Sequence, residues 1–392
     1  MSRVFSLAWR YVLHHRFKSL LMILCIVLTL LMPIALSILL SSFNRQIVAR
    51  ADATPLVVGA KGSRVDLTMH ALYFQSKAPG VIVSGQSELV GDLGTTIPLH
   101  NRFSARKVPV IGTSLDYFTF RDIGLDQGEG LVRLGDCVLG YNVARNLKLQ
   151  PGDSLLTDPE NVFGLVGREP LKMRVGGSLT KTDSPDDDAI FVDIKTAWVI
   201  EGLIHGHTEA EEIDHAARLN PSDSDTIVAD SSVRPFLEIT DDNIGTFHFH
   251  GSIAEFPITA MIVVPKDDKS EALLLGRFQS DDVTSQMSEP NIVVRELMNL
   301  VFRVKRFFTA NAILVAASTA LLLLLVVLLS IRLRQGEMAT MFKIGCGKGT
   351  ILSLILAELL IVFLVAAAII GVGVWFVQMN ADDLVRGLLN RT

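Results

Sequence analysis

The chain has 392 residues, 49% of them hydrophobic and only 20% charged, and a mean hydropathy of +0.40, which excludes a purely soluble enzyme. Lysine and arginine number 36 against 41 acids, a net charge of −5. No basic excess is available to neutralise phosphates, which argues against nucleic acid as a partner. The three cysteines, Cys25, Cys137 and Cys346, are too few and too scattered for a disulfide framework or a Cys-x-x-Cys metal site.

Residues 1–18 form a leader with Arg3, Arg10, Arg16 and Lys18 and no acid. Residues 19–41 then run 23 residues without a charge, enough to cross a ~30 Å hydrocarbon core as a helix at about 1.5 Å per residue. The run is too long for a signal-peptide core and continues into SSFNRQIVAR, so it reads as a retained anchor. Pro33 is expected to bend it, a distortion tolerated in lipid-embedded helices. Residues 307–331 and 351–377 supply two more spans, the latter with a single acid, Glu358. Residues 44–304 between the first and second spans have the mixed charge and turn residues of a folded domain.

Within that domain TPLVVGA reads as extended, GAKGS as a turn and VDLTMHALYF as a helix. VIVSGQSELVG, RKVPVIGT, CVLG, KMRVGGSL, AIFVDI, DTIVAD and TAMIVVP read as strands. NVARNLKL is a short helix before a turn and a strand start at QPGDSL. KTAWVIEGLI, KSEALLLGRFQ and NIVVRELMNLVFRVKRFF read as helices, the last leading directly into the second span. The expectation is an α+β membrane protein with three spans and a large domain, of more than one subdomain, between the first and second.

The positive-inside rule sets orientation. The leader is basic, and the loop at 332–349 carries Arg332, Arg334, Lys343 and Lys348 against Glu337. Both belong in the cytoplasm. The remainder, with Glu358 set aside, holds 28 bases and 39 acids and belongs on the far side, together with the tail at 378–392.

The loop sequence IGCGKGT does not meet the Walker pattern, because Phe342 stands where the first glycine is needed and Gly349 follows the lysine in place of a hydroxyl. GAKGS fails as well, so an energy source must come from another polypeptide. EMATMFKIG instead reads as a short amphipathic helix with Met338, Met341 and Phe342 on one side and glycines as its stop. Such a helix serves either as a membrane-surface connector or as a knob docking in a partner's groove. His205, His207 and His215 in HGHTEAEEIDH, with His248 and His250 in FHFH, bring five of nine histidines within 46 residues. They fit a solvated acidic loop or a weak metal or proton-sensing site, since no tetrahedral spacing is present. Glu358 reads mainly as a structural bond to a neighbouring helix or the cytoplasmic loop, with proton or ion translocation as the alternative. No catalytic constellation is found.

These segments resemble the FtsX-like, MacB-like (type VII) permeases of ABC transporters. The resemblance is carried by R-x-R-x-x-E-M-A-T-M-F-K-I-G-C-G-K-G-T-I followed by A-E-L-L, with Arg332, Arg334, Glu337, Gly345 and Glu358 at the matching positions. The leader LAWRYVLHHRFKSLLMILCIVL and the outer segments VLGYNVARNLKLQPGDSL and VGGSLTKTDSPDDDAIFVDIKTAW are similar to the family's as well. The resemblance implies a permease subunit in the inner membrane, without a cofactor of its own. It would work with a cytoplasmic P-loop ATPase that binds ATP and Mg²⁺, a second permease copy or paralogue, and a periplasmic adaptor. It implies mechanotransmission, with export or extraction of a lipophilic substrate or lipoprotein, and coupling through Arg334, Glu337, Met338, Met341, Phe342 and Gly345. Family members usually have four spans, and both a three-span branch and a shortened chain fit this sequence. A membrane-anchored sensor or structural protein without an ATPase, with metal response as one form of it, is the competing class.

Overall fold

The computed structural model describes residues 2–75, 77–159, 169–206, 236–249 and 251–389. Its helices, in chain order, are α1 (Ser2–His14), α2 (Arg16–Asp52), α3 (Arg64–Tyr73), α4 (Asp116–Arg121), α5 (Tyr141–Leu147), α6 (Ile194–Ile200), α7 (Asp268–Phe278), α8 (Pro290–Leu333), α9 (Gln335–Lys343) and α10 (Lys348–Leu389). The strands are β1 (Leu56–Ala60), β2 (Ile82–Val83), β3 (Gly94–Ala105), β4 (Val108–Thr113), β5 (Leu125–Gly128), β6 (Asp136–Leu139), β7 (Ser154–Leu156) and β8 (Leu171–Leu179). They continue with β9 (Ile190–Asp193), β10 (Ile204–Gly206), β11 (Leu237–Glu238), β12 (Phe247–Phe249), β13 (Pro257–Ile258), β14 (Ala260–Pro265) and β15 (Ser285–Ser288). The chain divides into two compact units, Met1–Ile47 with Glu296–Thr392, and Val48–Arg295.

The first unit is helical. Three helices in the described chain are long and apolar enough to cross a bilayer. Met22, Ile26 and Val27 of α2 pack with Val362 and Ala366 of α10. Thr29 and Thr319 share a hydrogen bond of 3.1 Å between α2 and α8, an inter-helix polar contact of the kind that holds spans together in lipid. Pro33 lies within α2, which continues unbroken to Asp52.

The second unit is built on a mixed eleven-stranded sheet in the order β11-β8-β6-β9-β4-β3-β14-β1-β15, with β5 and β7 also paired to β8. Two further two-stranded sheets, β10 with β12 and β13 with β2, stand apart from it. The unit's core gathers Leu56, Val58, Val110, Leu139, Val175, Val192 and Val263, the inward positions of β-branched and leucine-rich strands, with Ile200 of α6 packed among them. The hairpin between β3 and β4 turns at Arg106 and Lys107, both at positive φ, and the Asp158 carboxylate accepts both of their backbone N–H groups at 2.8 Å.

Most sequence expectations match these elements, with exceptions that have physical reasons. VIVSGQSELVG forms a strand only at Ile82–Val83 and then two 3₁₀ turns, Ser84–Leu89 and Gly91–Leu93. Its small and polar residues offer no second apolar face to pair in a sheet. DTIVAD lies outside the described residues. The compact unit begins at Val48 and ends at Arg295, inside the expected 44–304, because α2 and α8 extend helically past the apolar runs.

Cys137 is buried and free. Burial, with Asp136 adding to it, pushes its thiol up to about 12, so almost no reactive thiolate exists at neutral pH. In the folded chain Cys137 should resist maleimide, and it should react once denaturant is added. Modification of this peptide in native protein, read by mass spectrometry, would contradict the burial.

Candidate functional site

The leader helix α1 has two apolar sides. Ala8 and Val12, with Val4, pack against Leu354 and Ile361 of α10, because positions four apart share one helix face. Phe5, Trp9 and Leu13, one residue further on, form a second strip that is exposed. A tryptophan-bearing apolar strip flanked by Arg10 and His14 has the composition of a helix lying in a bilayer interface.

Beside this packing the helical unit holds a polar cluster. Glu358 of α10 is buried; one carboxylate oxygen accepts from Lys18 Nζ at 2.9 Å and the other from Arg334 Nη1 at 3.2 Å. Lys18 also donates to Ser330 Oγ at 2.7 Å. The Arg334 guanidinium lies 3.6 Å from the centroid of the Tyr11 ring, close enough for a cation–π contact. Tyr11, Lys18, Ser330, Arg334 and Glu358 thereby join α1, α2, α8, the start of α9 and α10. The geometry is that of the structural bond anticipated for Glu358, made to a neighbouring helix and to the loop at once.

Arg334 precedes α9 as its N-cap, and Glu337 sits in the helix. Gly345, at φ +94°, stops it. The Gly345 N–H donates to the Phe342 carbonyl at 3.1 Å and the Cys346 N–H to the Met341 carbonyl at 3.0 Å, closing the helix as a left-handed glycine does. The predicted apolar face is divided by the structure. Met341 is half-buried and packs against the cluster of Ala8, Val12, Leu354 and Ile361. Met338 is half-buried. The exposed apolar residues are Phe342, at 55%, and Ile344, at 76%, the latter absent from the predicted set.

Of the five clustered histidines, His205 and His248 lie within the described residues. His205 of β10 and His248 of β12 are paired in register, and His248 Nδ1 lies 2.9 Å from the Thr246 carbonyl oxygen. His207, His215 and His250 lie outside the described residues. Among the described residues no group of three or more His, Cys, Asp or Glu could hold a metal ion.

The sheet-containing unit has a buried ionic cluster that the sequence reading missed. Arg50, in the last turn of α2, donates Nη1 to Asp186 Oδ2 at 2.6 Å and Nη2 to Asp186 Oδ1 at 2.9 Å and to the Tyr117 hydroxyl at 2.9 Å. Its Nε donates to the Leu72 carbonyl. Tyr117 and Ser184 hydroxyls donate to Asp186 at 2.6 and 2.8 Å. The Asp186 carboxyl is pushed up by burial but held below its ordinary 3.8 by the Arg50 guanidinium and these hydrogen bonds. Elsewhere in the unit a cavity of about 360 Å³ is lined by Trp198, Ile194, Ile258 and Met261, with Ser84 and Glu88 also on its wall.

Residues 19–231 match the family described as the MacB-like periplasmic core domain. Three solved structures are similar to parts of the chain. The periplasmic region of MacB from Actinobacillus actinomycetemcomitans shares 10% identity over 64% of this chain and 98% of its own, at a TM-score of 0.36. The extracellular domain of the ABC-type transporter YknZ from Gram-positive bacteria shares 12% over 59% and 98%, at 0.32. A domain of a putative permease from Porphyromonas gingivalis shares 10% over 60% and 86%, at 0.26. No curated protein sequence matches the chain. The family match alone spans more than half of the 392 residues, and the chain belongs to the MacB-like, FtsX-like (type VII) permeases of ABC transporters.

Proposed function

We propose that this permease couples ATP hydrolysis on a separate cytoplasmic ATPase to movement of its outer domain, by mechanotransmission across the inner membrane. The observation that carries the reading is the link between α9 and the spans. Its exposed Phe342 and Ile344 offer a surface for a partner's groove, and Arg334 at its start is bonded through Glu358 to Lys18. A push on α9 therefore reaches α2 and α10 through short, charge-assisted contacts. The leader and the 332–349 loop lie in the cytoplasm, and the sheet-containing unit and the C-terminal tail on the far side. ATP and Mg²⁺ are held by the partner P-loop ATPase, and a second copy or a paralogue completes the membrane assembly, with a periplasmic adaptor beyond it. The apolar cavity walled by Trp198 and Met261 supports a lipophilic cargo, by export or extraction.

The test is Phe342→Ala combined with Ile344→Ala. Each residue contributes about 1.5–3 kcal/mol if fully covered by a partner, so ATPase recovery should fall at least tenfold while membrane insertion is retained. Unchanged ATPase recovery and turnover would sink the coupling role of α9 and leave it a connector lying on the bilayer. A parent chain that recruits no ATPase at all would return the sensor reading.

A further inference from the structure

We infer that the buried Arg50–Asp186 clamp is the joint at which the first membrane helix engages the outer domain, with Arg50 a positioning residue that fixes the rotation of that helix. The inference rests on the permease reading above and adds the place where force enters the outer domain.

The helix α2 is continuous from Arg16 to Asp52, about 55 Å long, with one backbone hydrogen bond missing at Pro33. A rod transmits rotation or axial displacement only as well as its end is held. At that end Arg50 is buried and makes four hydrogen bonds from one rigid plane, to the Leu72 carbonyl, to both Asp186 oxygens and to Tyr117. A planar, bidentate guanidinium accepts one orientation of its partner, where a lysine or an apolar side chain accepts many.

The receiving side is equally fixed. Asp186 lies in the 3₁₀ turn Pro185–Asp188, capped by Ser184. Its neighbour Asp187 accepts from the Thr182 N–H at 2.9 Å, the Thr182 hydroxyl at 2.8 Å and the Asp183 N–H at 2.8 Å. A Cβ at Gly140 would fall 2.3 Å from the Asp186 carbonyl oxygen, so only glycine allows the turn to seat against the start of α5.

Two comparisons of magnitude single out this pair. Arg295 donates to both oxygens of Asp52 at 3.0 Å, but these side chains are 62% and 41% exposed, and exposed pairs hold geometry weakly. A buried pair, by contrast, adds little stability over well-packed apolar residues of the same volume. What the apolar substitute cannot supply is direction, and the last turn of a force-bearing helix is where direction matters.

The test uses the full chain in detergent, with Cys25→Ser and Cys346→Ser and spin labels at Ala49→Cys on α2 and Asn146→Cys on α5, both exposed positions. The parent should give one narrow distance. Arg50→Met with Asp186→Leu should keep the parent's melting temperature yet at least double the width of the distribution. Tyr117→Phe, which removes one arm and strands no charge, should give an intermediate width. An unchanged width in both variants overturns the clamp. In complex with the ATPase, the double variant should hydrolyse ATP at the parent's rate while the label displacement on vanadate trapping falls to half or less; full displacement overturns the inference. Failure of the parent to recruit an ATPase would refute the permease reading instead, and the width measurement would still decide the clamp.

Discussion

Glu358→Ala should loosen the cytoplasmic end of the helical unit and reduce ATPase recovery together. Removing the carboxylate leaves Lys18 and Arg334 as neighbouring cations with no counter-charge, and stripping one partner from a buried pair costs about 3–5 kcal/mol. The lower end applies here, because the Lys18 side chain is 25% exposed and regains water. The melting temperature in detergent should fall accordingly, and co-purification of the ATPase should fall with it, because the Arg334 side chain at the start of α9 loses its anchor. Glu358→Gln keeps the shape and one acceptor and should fall between parent and alanine. Lys18→Met with Glu358→Met removes an opposite-charge pair and should recover part of the stability without recovering ATP turnover. A Glu358→Ala protein with parental melting and parental ATPase recovery would mean that the cluster is hydrated and carries no load.

The three spans were legible because an apolar run of 23 or more residues has few alternatives to a membrane helix, and α2, α8 and α10 contain all three runs. Strands rich in valine and isoleucine, such as β1, β4, β9 and β14, were equally plain. β3 was not, since Gly94–Ala105 places His100, Asn101 and Arg102 in mid-strand and reads as a polar loop. In the fold His100 is buried 3.0 Å from Glu201, a tertiary solution that no local window contains. The apolar face of α9 was read correctly as a helix but not as a divided one, because which of its residues pack against other helices depends on α1 and α10. Arg50, Tyr117 and Asp186 escaped for the same reason. They are 67 and 136 residues apart, and each alone looks like a solvated or core residue. Only the fold reveals that one carboxylate satisfies the end of the first helix.

Asp186→Ala alone should be the most damaging change in the outer domain. It leaves the Arg50 guanidinium buried with no anion, at a cost of about 3–5 kcal/mol against the 5–15 kcal/mol that holds a typical domain together. Arg50→Met on that background removes the stranded charge and should restore most of the loss, so the two changes are strongly non-additive. The effect also has a pH signature. Since Asp186 titrates below its ordinary 3.8 in the folded chain, its stabilisation is complete above that ordinary value and is lost as pH falls through the depressed folded one. Burial, and then Asp186, push the Tyr117 hydroxyl above its ordinary 10.0, so its contribution is complete below pH 10 and is lost as pH rises through the folded value. Urea melts of the full chain followed by Trp198 fluorescence should therefore show the parent and Asp186→Ala furthest apart near neutral pH and converging below about pH 4. A difference that stayed constant down to strong acid would mean that Asp186 contributes through packing and that its charge on Arg50 is incidental.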